Sequence, residues 1–427
     1  MSKYLFYTLF LFLLISLIIL PTQQASLIEQ NPEITAMVGA RIYTAPDVEP
    51  IQNGVILIQN GKILSVGTQS TIKIPSTAKL IDCKGLFITA GFQNSHVHFT
   101  EPKWENAAKL DVAKANQQLQ EMFSRYGFTT VVDIGSFLEN TVALKTRIET
   151  GEIAGPRILT AGAPLYPSDG IPFYLLDSLP PNIIKLLDQP SNSEQASNVV
   201  KRNLNSGAEV IKLFTGSLIG PTKVKPMPVE IARAAVNTAH QQGKLVFTHP
   251  SNIEGIKIAL AAGVDVLAHT TSIAADWDSS LIAEMKQHKI ALVPTLKLWQ
   301  YEASRSNADA ETARKFVNAS IEKLAAYSKA GGQILFGTDV GYMTDYDPLE
   351  EYQYMSQAGL TPMQILASLT TSPSERFNEQ NKRGKIIAGT DADLVLLSAD
   401  PAQDIRNFVK VHATFKQGKI IYSSNAK

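Results

Sequence analysis

The sequence predicts an α/β fold, a (β/α)8 TIM-type barrel with a small composite β-sandwich built from both chain ends. Three observations carry this expectation. Short apolar runs alternate with helical stretches through the middle of the chain. Both ends show strand-and-turn patterns without helices. Polar residues able to hold a metal fall where several of the central runs stop.

The central runs are 129–132, 158–161, 210–214, 245–248, 264–268, 291–293 and 334–336, and helical stretches such as 229–242 and 310–330 lie between them. Strands alternating with helices imply a parallel sheet. About eight such units over roughly 290 residues fit a closed barrel. An open doubly wound sheet is the other solution, but no glycine-rich dinucleotide fingerprint follows the first strand. At the N-terminal end, runs 54–59 and 62–66 flank Asn60-Gly61, a strong hairpin signal, and 36–43 precedes them. At the C-terminal end, 392–397, 411–415 and 419–422 follow the same pattern, with Gln417-Gly418 before the last. The expected division is a β-piece from 31–88 plus 385–427 and a barrel over 89–384.

Residues 1–25 read as an export signal. Lys3 precedes an apolar run from Tyr4 to Leu20, then a polar exit through Pro21 and Gln24 to Ala25. The expected location is secreted or periplasmic. The alternative is a retained membrane anchor, since the run is near the lower limit for spanning a bilayer. Lys plus Arg equals Asp plus Glu at 39 each, so no bulk field favours nucleic acid. That balance points to a small-molecule or short-peptide substrate. Cys83 is the only cysteine, which excludes an intrachain disulfide. It reads as a small core residue.

The chemistry-bearing residues sit at predicted strand ends, where barrels place function. Phe92-Gln93-Asn94-Ser95-His96-Val97-His98-Phe99 puts two imidazoles on one side of an extended segment. His249 follows 245–248, His269 follows 264–268, and Asp339 closes Gly337-Thr338-Asp339. Singly, each is an ordinary polar strand end. Together they form a nitrogen and oxygen set suited to zinc or a similar divalent ion. Lys212, within Val210-Ile211-Lys212-Leu213-Phe214, places an ammonium among apolar neighbours. That cost is relieved by a salt bridge, or by neutralisation and carboxylation of the amine.

These residues together resemble the amidohydrolase superfamily, in the branch holding imidazolonepropionase-like and dipeptidase-like members. Gly127-Phe128-Thr129-Thr130-Val131-Val132-Asp133, Gly207-Ala208-Glu209-Val210-Ile211-Lys212 and Gly389-Thr390-Asp391-Ala392-Asp393-Leu394 are among the stretches that carry the likeness. The resemblance implies two divalent ions, zinc foremost. His96, His98 and Asp339 would hold one ion, and His249 and His269 the other. A carboxylated Lys212 and a hydroxide would lie between them. Asp339 would also accept the proton of the attacking water and pass it to the leaving amine. The expected activity is hydrolysis of an amide C–N bond, of a dipeptide or N-acyl amino acid. A cyclic amide or imide hydrolase or a deaminase is the alternative, and a non-catalytic ligand-binding barrel is the remote one.

The chain departs from the family pattern at three positions. Ala90 and Asn94 replace a usual Pro and Asp, and Ser251 stands where many relatives carry a second His. Among the other candidates, His240, His288 and His412 read as surface or packing residues. Trp277, Trp299, Tyr301 and Tyr342 follow late strands where pocket loops belong. The stretch 163–181 reads as a lid.

Overall fold

The computed structural model describes residues 33–271 and 277–424. The proposed export segment 1–25 lies outside the described residues. Among those residues no helix is long and apolar enough to cross a membrane. Residues from Glu33 onward form one compact unit.

Eight parallel strands follow one another around a barrel in chain order: Phe92–Val97, Phe128–Asp133, Arg157–Thr160, Ile211–Phe214, Val246–His249, Val266–Ala268, Ala291–Val293 and Gln333–Ile334. Regular ladders join the first three and the last five. Two seams close the ring. At one, Glu209 N donates to Thr160 O at 2.7 Å, and Leu165 bridges Leu213. At the other, Ser95 N donates to Phe336 O at 2.7 Å and Val97 bridges Val340. The closed barrel is the expected fold. The eighth strand is shorter than its apolar run implies. Past Ile334 it serves several neighbours at once, with Leu335 N on Leu292 O and Phe336 N on Ser368 O.

Alternation along the strands sorts side chains into two layers, as a pleat with period two requires. Val132, Leu159, Val210, Phe247, Val266, Ala291, Val293 and Leu335 pack together inside the ring. Val131, Ile158, Ile211, Leu213, Val246, Leu267 and Leu292 face the surrounding helices. Lys212 shares parity with Val210, and His249 with Phe247, so both point inward at the strand's carboxyl end. The helices follow their signals. Val229–His240 buries Ile231, Ala232, Ala235, Val236 and Ala239 on one stripe. Ala310–Lys329 is capped by Asp309, whose carboxylate accepts from Glu311 N and Thr312 N.

Both chain ends share a second sheet. Its order runs Lys419–Ser423, Val411–Lys416, Leu394–Leu397, Phe87–Ala90, Thr35–Ile42, Ile51–Gln59, Lys62–Thr68, and Lys79–Asp82 pairs Thr35–Ile42 off this path. Both Asn60-Gly61 and Gln417-Gly418 adopt positive φ at both residues, at 53° and 73°, and at 48° and 73°. That is the type I′ geometry which matches strand twist. The sheet folds over on itself. Ala392 N donates to Gly61 O at 2.8 Å, and Ile63, from one end of the sheet, shares a core with Phe415 and Cys83.

Candidate metal centre

Strands one, four, five, six and eight deliver the six residues singled out from the sequence to the carboxyl end of the barrel, where all six line one cavity. His96 lies in the first strand and His98 directly after it; His249 ends the fifth, and His269 follows the sixth. His269 and Asp339 both adopt left-handed backbone, with φ of 72° and 61°. Such positions persist where surrounding contacts hold them, and they cluster at functional sites.

Three acceptors converge. His96 Nε2 and His98 Nε2 are 3.3 Å apart, and Asp339 Oδ1 lies 3.2 Å from the first and 2.9 Å from the second. His269 joins them: ligand atoms of His96, His269 and Asp339 all lie within 4.8 Å of one another. The His249 and His269 rings are 4.8 Å apart between centroids. Metal–ligand bonds of about 2.0–2.2 Å at 90–110° separate neighbouring donors by roughly 2.8–3.6 Å. The first three spacings therefore fit one divalent cation.

The hydrogen bonds behind the rings fix which nitrogen faces inward. His98 Nδ1 is 2.8 Å from Gly135 O, which can only accept, so neutral His98 presents a lone pair at Nε2. Thr295 Oγ1 stands 2.6 Å from His269 Nδ1, a short hydrogen bond that holds the orientation of the ring. Gly135 is itself held by Asp133, whose carboxylate accepts from Gly135 N at 3.2 Å, Ser136 Oγ at 2.5 Å and Thr160 Oγ1 at 2.7 Å. Partners of this kind orient metal ligands and raise their basicity.

Asn94 does not touch an imidazole nitrogen. Its Oδ1 accepts from His96 N and Thr338 N, each at 3.2 Å, and its Nδ2 donates to Thr338 Oγ1 at 2.7 Å. It staples the first strand to the eighth through backbone. Ser251 turns away from the cavity, donating to Gly216 O at 2.9 Å.

The electrostatics match the geometry. Burial lowers His96 to about 4 and His249 to about 3, and the Lys212 charge adds to both. Burial, then the His96 charge, also pushes His269 well down. Burial works against charge on Asp339 too, yet the two imidazoles hold its carboxyl well below the usual range. Burial opposes a proton on His98, but Asp339, Asp133 and the Gly135 carbonyl together raise it. The cluster calls for a positive charge among its acceptors. Lys212 is 3% exposed, and burial lowers its amine to about 7, with Asp339 acting in the other direction. Its Nζ lies 5.4 Å from the Phe214 ring centre, and it makes no ion pair among the described residues. The salt bridge considered from the sequence finds no partner there.

Of the aromatic candidates, Trp299 and Tyr342 line the cavity. Trp277 donates to Thr271 Oγ1 and packs edge-on against Tyr327. Tyr301 stacks at an angle behind Tyr342, with centroids 6.0 Å apart. His240 is exposed and bonds Asp265 Oδ2 at 2.8 Å, away from the cavity. Residues 163–181 reach the cavity through Pro164, Tyr166, Phe173, Tyr174 and Leu179. Sequence reasoning gave no role to Phe214, Glu302 or Phe316, which line the cavity, nor to Thr295 and Ser136, which orient ligands. Only a strand-end position marked Phe214; nothing marked the others.

A barrel with inward-facing acceptors at its strand ends defines a metal-dependent hydrolase of carbon–nitrogen bonds, and the chain belongs to the amidohydrolase family, whose model matches residues 87–421. It is similar to an ochratoxinase of Aspergillus niger, 24% identical over 430 residues that cover 90% of this chain and 86% of that protein. An imidazolonepropionase of Fusobacterium nucleatum subsp. nucleatum is 23% identical, over 88% of this chain and 93% of its own. Among solved structures, a Xaa-Pro dipeptidase with bound methionine in the active site superposes with a TM-score of 0.78. It is 23% identical and covers 92% of this chain and 100% of its own, a likeness of fold.

Proposed function

We propose that this protein hydrolyses an amide C–N bond, of a dipeptide or N-acyl amino acid type, at a centre of two divalent metal ions. The observation that carries this is the set of three acceptors 2.9–3.3 Å apart. In this proposal His96, His98 and Asp339 hold one ion, and His249 and His269 hold the other. The imidazole and carboxylate donors suit zinc. When bound, the ions supply Lewis acidity that polarises the scissile carbonyl and acidifies water.

Lys212, once carboxylated, would add an anionic ligand to this centre. Carboxylation needs a neutral amine, which adds carbon dioxide and releases a proton to become an N-carboxylate. An amine lowered to about 7 by burial, with no ion-pair partner, supports that assignment. Asp339, whose second oxygen Oδ2 lies 3.9 Å from His269 Nδ1, is assigned as the proton carrier. It takes a proton from the attacking water and delivers it to the leaving nitrogen, so that acid and amine leave together. Residues 163–187, which include the lid stretch 163–181, line the cavity through Tyr174, Leu179, Ile183 and Leu187 and would act as a cap that excludes bulk water. The division into a β-piece of 31–88 plus 385–427 and a barrel of 89–384 belongs to the same proposal. So does export directed by residues 1–25, supported by the apolar run after Lys3.

The test is amine release from a panel of open-chain amides, by wild type and Asp339→Asn. Wild type cleaves members of the panel, and the variant loses at least about a hundredfold in kcat/KM. An undiminished Asp339→Asn rate would contradict the proton role. Ring opening of cyclic amides without open-chain cleavage would move the activity to the alternative.

A further inference from the structure

The cavity over the metal centre measures about 780 Å³. That lies in the upper part of the roughly 300–1,000 Å³ range of small-molecule pockets. One wall is the cap, through Phe173, Tyr174, Leu179 and Ile183, and the opposite wall is helical, through Trp299 and Phe316. The Trp299 indole N–H is already satisfied by Thr270 Oγ1 at 2.7 Å, so the ring offers the cavity only its apolar surface.

The lining is also notable for its charges. Apart from the six residues of the metal centre, the one ionisable carboxylate on the described wall is Glu302, and no Arg or further Lys stands there. Glu302 is itself committed, accepting from Tyr342 Oη at 2.7 Å and pairing with Arg305 at 3.1 Å. Arg305, not among the lining residues and with its side chain 41% exposed, is held by that pair and by the faces of Tyr174 and Tyr342, each 5.7 Å away. Away from Lys212 and the rest of the metal centre, a substrate carboxylate meets mostly apolar side chains and, among the described lining residues, no cation. Burying an unpaired charge is among the costliest events in a protein interior.

We propose that the substrate is an uncharged amide bearing a bulky apolar group, which lodges between the cap and the Trp299–Phe316 wall, and that a free carboxylate on the substrate is selected against. This rests on the amide hydrolysis proposed above and replaces the free dipeptide or N-acyl amino acid named there, which carries a carboxylate, by its neutral counterpart: water adds to the carbonyl, the C–N bond breaks, and an acid and an amine leave. The polar reacting bond faces the metal centre, and the apolar remainder accounts for the rest of the cavity.

The test is a matched pair on the metal-loaded protein, N-(phenylacetyl)-phenylalaninamide against N-(phenylacetyl)-phenylalanine, which differ by one carboxylate. N-acetylglycinamide serves as the neutral but small control. The expected result is a kcat/KM at least about a hundredfold higher for the bulky neutral amide than for its carboxylate partner. The small control is also poorer. Equal or better turnover of the carboxylate form would overturn the proposal while leaving amide hydrolysis intact. If no amide is cleaved, hydrolysis itself fails, and displacement of the neutral dye Nile red decides the cavity question separately. Displacement by the neutral amide alone supports the assignment, and equal displacement by the carboxylate overturns it. Leu179→Arg, which adds a cation to the cap, narrows the neutral-to-charged ratio by at least about tenfold in whichever assay reports. An unchanged ratio with a folded variant would also count against the proposal.

Discussion

Gly341 makes a close backbone approach at the candidate metal centre, and adding one methyl group there is a sharp perturbation. A Cβ at this position would lie 1.9 Å from His98 O and 2.6 Å from His98 C, and φ is +96°. Real Cβ contacts essentially never fall under 3.0 Å, so backbone must shift by about 1.1 Å. Both atoms belong to a proposed metal ligand, and Val340 O on the other side accepts from His98 N at 2.8 Å. Neither segment moves without carrying His98 or Asp339 with it. The positive φ costs an L-residue about 1–2 kcal/mol, and overpacking adds about 1–3 kcal/mol. Gly341→Ala is therefore expected to lose roughly 2–5 kcal/mol of stability. A displacement near 1 Å costs about a hundredfold in rate. Gly389→Ala is the control. Its φ is +90° and nothing lies within 4 Å of the added atom, so it suffers only the backbone term. Urea unfolding, metal content and kcat/KM of the two variants are compared. Equal behaviour in all three would refute the claim that the 340–341 turn positions His98.

Two further predictions address the ligands. Thr295→Ala removes the hydroxyl 2.6 Å from His269 Nδ1 and frees the ring to reorient. Metal affinity falls about 10–100-fold in a buffered-metal titration; Thr295→Ser restores it, and an unaltered affinity in the Ala variant would contradict the role. In the metal-free protein, His96 and His249 are lowered by burial to about 4 and about 3. The unfolded chain takes up these protons as pH falls below about 6.5. The stability they contribute is thus complete above that value and is lost down to the folded values, at about 1.4 kcal/mol per unit for each group. His98, raised, acts in the opposite sense and offsets part of this. Calorimetry in chelator is expected to show a falling Tm from pH 6.5 to 4, and a flat Tm would contradict the burial of these rings in neutral form.

Much of the fold was legible because period-two and period-3.6 patterns reflect which side of an element is buried, as in the inward parity of Lys212 with Val210. Strand ends could be read for His249 and Asp339 because a polar residue interrupts an apolar run there. What could not be read has local causes. Phe173–Leu176 and Pro181–Ile184 are single-turn helices, too short to show a period. The hairpin Gly216–Leu218 with Val224–Pro226 is pinned by Gly216 packed against Pro250 O, a contact remote in sequence. The left-handed backbone of His269 and Asp339 is one that His and Asp adopt more readily than most residues, yet the residue type alone does not mark where it occurs. Thr295 orients His269 from the following strand, and Asn94 acts on backbone atoms, so neither role leaves a pattern along the chain.

The six inward residues are proposed to hold two ions, with a carboxylated Lys212 shared between them. Metal content per chain tests this most directly, by mass spectrometry on protein purified without chelators and with bicarbonate present, beside Lys212→Ala. Two ions per wild-type chain are expected, and one or fewer in the variant. One ion in the wild type, unchanged by the substitution, would contradict the bridge, and no ion even after metal addition would contradict the centre itself.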